Sequence, residues 1–314
     1  MLIVGEVHTG LLRGREPLTD ERARALVDVV AGEPVLISER PRSYVRSPAR
    51  PVGVDCPLGA PGAARPVRGV GTALHHAALT DGHVVQGSAY TTIVAGQASR
   101  QPWSHYLARA GVVETVGRTR WDELADAFAQ PQRDSSALDL GAIADRASAQ
   151  VQHNAPPAGR SGSRLRLAHT TLRWVARPEP AAAGPPRFHL GLHGDELRVL
   201  RFSAPEPVTA ERLAAVAEDI ALHDWLLTRL VEIVRRSAIG VLARDESMQR
   251  LIPAVDHLLH LWLPGARGDR FSDELWQALE SRAGFSRQWS LLANRIRDQF
   301  AAGTVSAMRA ATPR

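Results

Sequence analysis

The sequence predicts an α+β fold, with a mixed, mainly antiparallel N-terminal sheet and flanking helices, followed by an α-helical C-terminal module of about four helices. Three observations predict it. Residues 67–95 alternate with a period of two around Thr80-Asp81-Gly82, the composition of a hairpin turn. Strand patterning returns between Arg164 and Phe202. From Val208 to the C-terminal end, apolar residues recur instead at helical spacing.

Leu2 to Val7 reads as the first strand. Thr19 is placed to N-cap a helix through Val30, with Leu26, Val27 and Val30 on one face and Gly32 as its stop. Pro34 to Ser38 reads as a short strand, and Pro41 to Arg68, rich in Pro, Gly and Arg, as an extended loop. Val67–Leu79 and His83–Ala95 are two long strands, in which Gly69, Gly71 and Gly87 mark bulges or close backbone contacts. Val112–Val116 is a further strand. Thr119 with Asp122 fits a capping box for a helix through Ala129, and Leu140, Ile143, Ala144, Ala147 and Val151 define an amphipathic helix. Residues 154–163 have linker composition, and residues 177–186 read as a loop between two strands.

Val208–Ser237 is the longest clean helical pattern. Thr209 is its N-cap, Glu211 suits the positive end of the helix dipole, Arg235 and Arg236 suit the other end, and Gly240 ends the run. Leu213, Val216, Ile220, Leu227 and Val234 form one stripe, and Leu222, Leu226, Leu230 and Ile233 a second, so burial on several sides is expected. A helix from Asp245 through Leu263 follows, with Pro253 kinking it or delaying its start. Ser272 caps the next helix, with Phe271 and Trp276 as a staple, and Ser286 begins the last, with Trp289, Leu292, Ile296 and Phe300 on one face and fraying from Ala301. The expected division is an α+β region at 1–153, a linker at 154–163, strands extending the sheet at 164–205, the helical module at 206–303 and a flexible tail at 304–314.

Composition narrows the function classes. The chain has 314 residues, 44% of them hydrophobic, and a net charge of +5, with arginine as its only strongly basic residue because lysine is absent. Without lysine there is no Walker A phosphate loop, kinase-type lysine or Schiff base. CxxC, HExxH, GxSxG and GxGxxG are also missing. The arginine richness, alongside abundant Ala, Gly and Pro, fits a GC-rich coding bias and is weak ground for nucleic-acid binding. The single cysteine, Cys56, the lack of a signal-peptide pattern at the first residues and the lack of a membrane-length apolar run set the expectation of a cytoplasmic protein without a membrane span.

Four residues stand out as candidates for chemistry. His223-Asp224 interrupts the apolar stripes of the long helix, and Asp256 and His260 are four apart on the next, with His257 beside them. If the two helices pack, His223, Asp224, Asp256 and His260 form a mixed His/Asp set suited to a catalytic metal and hydrolysis. With His189, the order also formally matches the H…HD…D order of HD-type phosphohydrolases, although His189 lies in strand sequence. The alternative, that these groups cap helices or pair with nearby arginines, is preferred because His/Asp pairs at helical spacing are common. No metal or other cofactor is assigned.

Arg42, Tyr44, Arg46 and Arg50, with Arg40, make a basic stretch with one aromatic, candidates for phosphate or partner contacts; Arg164, Arg166, Arg173 and Arg177 make a second. Cys56 with His75 or His76 as base is a weaker nucleophile candidate than a plain structural cysteine. Trp262, Trp276 and Trp289 fit one aromatic cluster of the helical core.

RGVGT (68–72), PWSHYLAR (102–109), ALDLGAIADRA (137–147), ALHDWLL (221–227), DHLLHLWLPGAR (256–267) and RIRDQ (295–299), in this order and spacing, resemble a family of actinobacterial, Streptomyces-type proteins with no established activity. The resemblance spans nearly the whole chain. It implies a place in a conserved gene cluster that includes a ParA/MinD-like P-loop protein, and hence a partner rather than a reaction. The resulting expectation is a non-enzymatic cytosolic partner or scaffold acting with that P-loop NTPase. A metal-dependent hydrolase and a nucleic-acid-binding protein are the alternatives.

Overall fold

The computed structural model describes the chain except residues 13–16, 28–33, 39–41, 59–66, 98, 118–119, 133–135, 156–166, 181–186, 265–269 and 312–314. Val30, Gly32, Arg40, Thr119, Arg164, Arg166 and most of the 154–163 stretch therefore lie outside the described residues.

The alternating stretches form one ten-stranded mixed sheet. Its strands are β1 (Leu2–Leu11), β2 (Leu36–Ser38), β3 (Tyr44–Arg46), β4 (Arg50–Leu58), β5 (Val67–Thr80), β6 (Val84–Ala95), β7 (Val112–Val116), β8 (Thr170–Glu179), β9 (Phe188–His193) and β10 (Leu197–Pro205). The order is β2-β3-β5-β7-β6-β1-β8-β10-β9, with β4 on β5 and β5 also paired to β6. Pairing is antiparallel except between β6 and β7 and between β8 and β10. The β5–β6 hairpin turns through Asp81 and Gly82, both at positive φ (53° and 62°), as a tight hairpin turn requires. The strands after residue 164 join the same sheet, because β8 pairs with β1.

The Pro-, Gly- and Arg-rich stretch differs from its expected form. Residues 44–46 and 50–58, expected within a loop, are β3 and β4. Pro51, Gly53 and Pro57 read as breakers, but among the described residues β4 pairs with one strand only, β5, and an edge strand tolerates proline. Val52, Val54, Cys56 and Leu58 keep the period of two.

The two faces of the sheet bury different helices. Leu2, Val4, Ala89 and Val175 face α3 (Trp121–Phe128) and α4 (Leu140–Asn154). Ile3, Val7, Tyr90, Trp174 and Leu200 face α5 (Ala210–Arg236). A helix α1 (Asp20–Val27), its first turn bonded to Thr19 Oγ1, packs near β3 and β5, and α2 (Trp103–Leu107) covers part of β5. Gly87 sits under α4, where a Cβ would overlap the Ala144 carbonyl oxygen; Gly71 meets the Val112 carbonyl in the same way.

α5 has the expected Thr209 cap, whose Oγ1 accepts from the Arg212 N–H at 3.2 Å. Its second side packs α6 (Arg244–His257) and α8 (Phe285–Ala311), with α7 (Arg270–Arg282) against α8. Pro253 lies inside α6 without ending it; the helix stops at His257 and a 3-10 turn covers Leu259–Leu261. Ser272 is a buried residue within α7 rather than its cap, and α8 continues through Ala311, past Ala301. No helix among the described residues is long and apolar enough to cross a membrane.

Candidate functional site

His223 and Asp224 are buried, at 1% and 5% exposure, and point into different surroundings. His223 Nδ1 lies 2.7 Å from the Asp219 carbonyl oxygen, and its Nε2 accepts from the Leu263 N–H at 3.3 Å. The ring stands edge-on to Trp262 and Trp276, 5.0 and 5.1 Å between centroids. Trp262 stacks on Trp289 at 4.3 Å, and Trp276 Nε1 donates to Asp219 Oδ2 at 2.9 Å. The three tryptophans thus form one cluster with His223 among them. Asp224 faces β10 instead: Arg198 Nε is 3.1 Å from Oδ1 and 3.0 Å from Oδ2. Burial raises the Asp224 pKa, and Arg198 opposes the rise.

Asp256 is exposed, and His260 belongs to a third group. His260 Nε2 is 3.3 Å from Asp81 Oδ2 on the β5–β6 turn, and His83 Nε2 is 3.2 Å from His257 Nδ1. His223, Asp224 and His260 are therefore engaged with three separate sets of partners. Among the described residues no group of three or more His, Cys, Asp and Glu is placed to hold a metal ion. His189 lies exposed on the edge strand β9.

The basic stretch is largely turned inward. Tyr44 Oη donates to Glu218 Oε2 at 3.0 Å, and Arg46 reaches Glu211 Oε1 at 2.5 Å, so β3 is tied to α5. Arg42 is 4.0 Å from Asp81, and Arg50 opens β4 opposite His75. In the second basic stretch, Arg173 is paired with buried Glu6 at 3.0 Å and Arg177 with Asp122. Cys56 stands opposite Gly69 and His75 opposite Arg50, six residues further along β5, about 20 Å at strand rise. Its thiol is pushed up to about 11 by burial and by Asp55, which disfavours the thiolate.

Glu218 is not anticipated from the sequence, and His76, a candidate base for Cys56, pairs with it instead. His76 Nε2 lies 2.7 Å from Glu218 Oε1, with both side chains fully buried between sheet and α5. Gln86 Nε2 donates to the Glu218 carbonyl at 2.9 Å and to Thr9 Oγ1 at 3.1 Å. The signal was present: Leu222, Leu226 and Leu230 run back four residues to Glu218, a carboxylate on a buried stripe.

An open cleft of about 400 Å3 lies where β1 runs past α4 and the start of β8. It is lined by His8, Asp145, Ser148, His153 and His169, above an apolar floor that includes Val85. His8 Nδ1 is 3.5 Å from Asp145 Oδ1, and its ring stacks on His169 at 6.1 Å with 16° between planes. Burial lowers the His8 pKa, against the opposing pull of Glu6 and Asp145. This is the arrangement expected of a ligand site: a concave surface with a few convergent polar groups and a perturbed histidine. His8 shares a strand face with Leu2, Val4 and Glu6, but nothing in the spacing of β1 relates it to Asp145.

No protein-family model, curated protein or solved structure matches the chain.

Proposed function

We propose that the chain is a non-enzymatic, cytosolic partner or scaffold protein that acts with a ParA/MinD-like P-loop NTPase. The observation that carries this reading is the pair of outer strands. β2 and β9 end the described sheet, and they expose Leu36, Ile37 and Leu192, at 50%, 41% and 65%. Outer strands that carry exposed apolar side chains favour association by strand addition. The polar residues best placed for chemistry on α5 support the same reading, since Glu218, His223 and Asp224 bind neighbours within the chain. The absence of lysine leaves phosphate-loop chemistry to the other protein.

Size-exclusion chromatography of the purified chain with the ParA/MinD-like protein, with and without ATP, tests this. Co-elution in at least one nucleotide state is expected, weakened by Leu192→Glu or by Leu36→Glu. Separate elution in both states would refute the proposal.

A further inference from the structure

The cleft between β1 and α4 has a definite chemical polarity. Ser148 Oγ donates its proton to the Asp145 carbonyl at 2.9 Å, so its lone pairs remain as acceptors. The Asp145 carboxylate stands at the rim, 68% exposed. His8 turns its Nδ1 edge to that carboxylate at 3.5 Å, and a neutral ring with its proton on Nδ1 presents a lone pair at Nε2. Its lowered pKa keeps the ring neutral at pH 7, so Nε2 accepts rather than donates. The polar side of the cleft thus offers acceptors at Ser148 and His8, beside His153 and His169, and Asp145 is the one carboxylate in its lining. The opposite side is hydrocarbon, from Leu11, Val85 and Leu167.

We propose that this cleft is a binding site for a small organic cation, an ammonium or guanidinium group on a hydrocarbon stem. The cationic head donates to Asp145 and to His8 Nε2, and the stem lies on the apolar floor. A neutral polar molecule would leave the carboxylate without a counter-charge, and an anion would face it directly. A volume of about 400 Å3 suits a ligand of metabolite size. The site stands apart from the outer strands, so partner binding and amine binding succeed or fail independently.

Isothermal titration of the full chain with agmatine tests the proposal, with succinate and 1,4-butanediol as anionic and neutral probes. Saturable agmatine binding is expected, with the His8 ring resonances moving on titration. Asp145→Asn removes one charged hydrogen bond and weakens binding by about tenfold or more. Ala149→Trp, at an exposed position in the lining, fills the cleft and abolishes binding. Asp256→Asn, exposed on α6, leaves the affinity unchanged. Failure to saturate by about 10 mM, equal affinity in Asp145→Asn, or tighter binding of succinate would each overturn the assignment.

Discussion

At the scale of single residues, the structure separates polar groups that hold the fold from polar groups with nothing to hold. Asp224 and Arg198 are a buried pair, and removing one partner leaves the other charge without compensation in a dry site. Asp224→Ala should therefore cost about 3–5 kcal/mol in urea unfolding, whereas Asp224→Leu combined with Arg198→Met should recover most of that loss. A double variant as unstable as the single one would mean that the pair itself, and not the orphaned charge, carries the stability. Two tyrosines make a second comparison. Tyr44 Oη donates to the Glu218 carboxylate, so Tyr44→Phe should cost about 1 kcal/mol. Tyr90 Oη is buried with no hydrogen-bond partner among the described residues, and burial drives its pKa upward. Tyr90→Phe should therefore leave stability unchanged or raise it, and a loss of more than about 0.5 kcal/mol would reveal a bond to Tyr90 Oη.

At the scale of elements, three histidines clasp the β5–β6 hairpin to the end of α6. His83 lies against His257, His260 against Asp81, and the His83 and His260 rings are 5.9 Å apart. Burial lowers both His83 and His260 below the usual histidine value of 6.5; Asp81 opposes the shift in both, while the neighbouring histidines and, for His260, Arg42 add to it. A histidine with a depressed folded pKa takes up its proton first in the unfolded chain. The unfolded state then binds more protons, and stability falls as pH drops below about 6.5, levelling off once the folded state also protonates. The urea midpoint should fall between pH 7.5 and 5.5, and less steeply in the double variant His83→Gln, His260→Gln. An unchanged slope in that variant would place the pH dependence elsewhere, with His8 and His75, both also lowered, as the next groups to examine. This clasp also marks the limit of what the sequence disclosed. His257 and His260 were legible as neighbours because three residues bring side chains to one helix face. Their partners, Asp81 and His83, are about 175 residues earlier, and no local period encodes that meeting. The long strands and α5 were legible because their periods run unbroken for many residues. β4 was not, since its prolines are permitted by a one-sided pairing that only the assembled sheet defines.

At the scale of the whole molecule, α5 is where the two halves become one core. A single apolar cluster runs from Ile3 and Val7 on β1, through Trp174 and Leu200, across Leu213, Ile220 and Leu226 on α5, to Leu275, Trp289 and Ile296 on the last helices. Among the described residues the sheet face under α5 has no other cover of comparable length, so residues 1–205 alone would expose Ile3, Val7, Tyr90, Trp174 and Leu200 together. A contiguous exposed patch of that kind drives association rather than independent folding. Residues 1–205 expressed alone should therefore be insoluble, or bind a hydrophobic dye without resolved amide dispersion. Co-expression with residues 206–314 should restore a soluble complex through the same cluster. A monomeric 1–205 fragment with a cooperative thermal transition would show that the sheet is stable without α5, and that the junction near residue 205 is a true domain boundary.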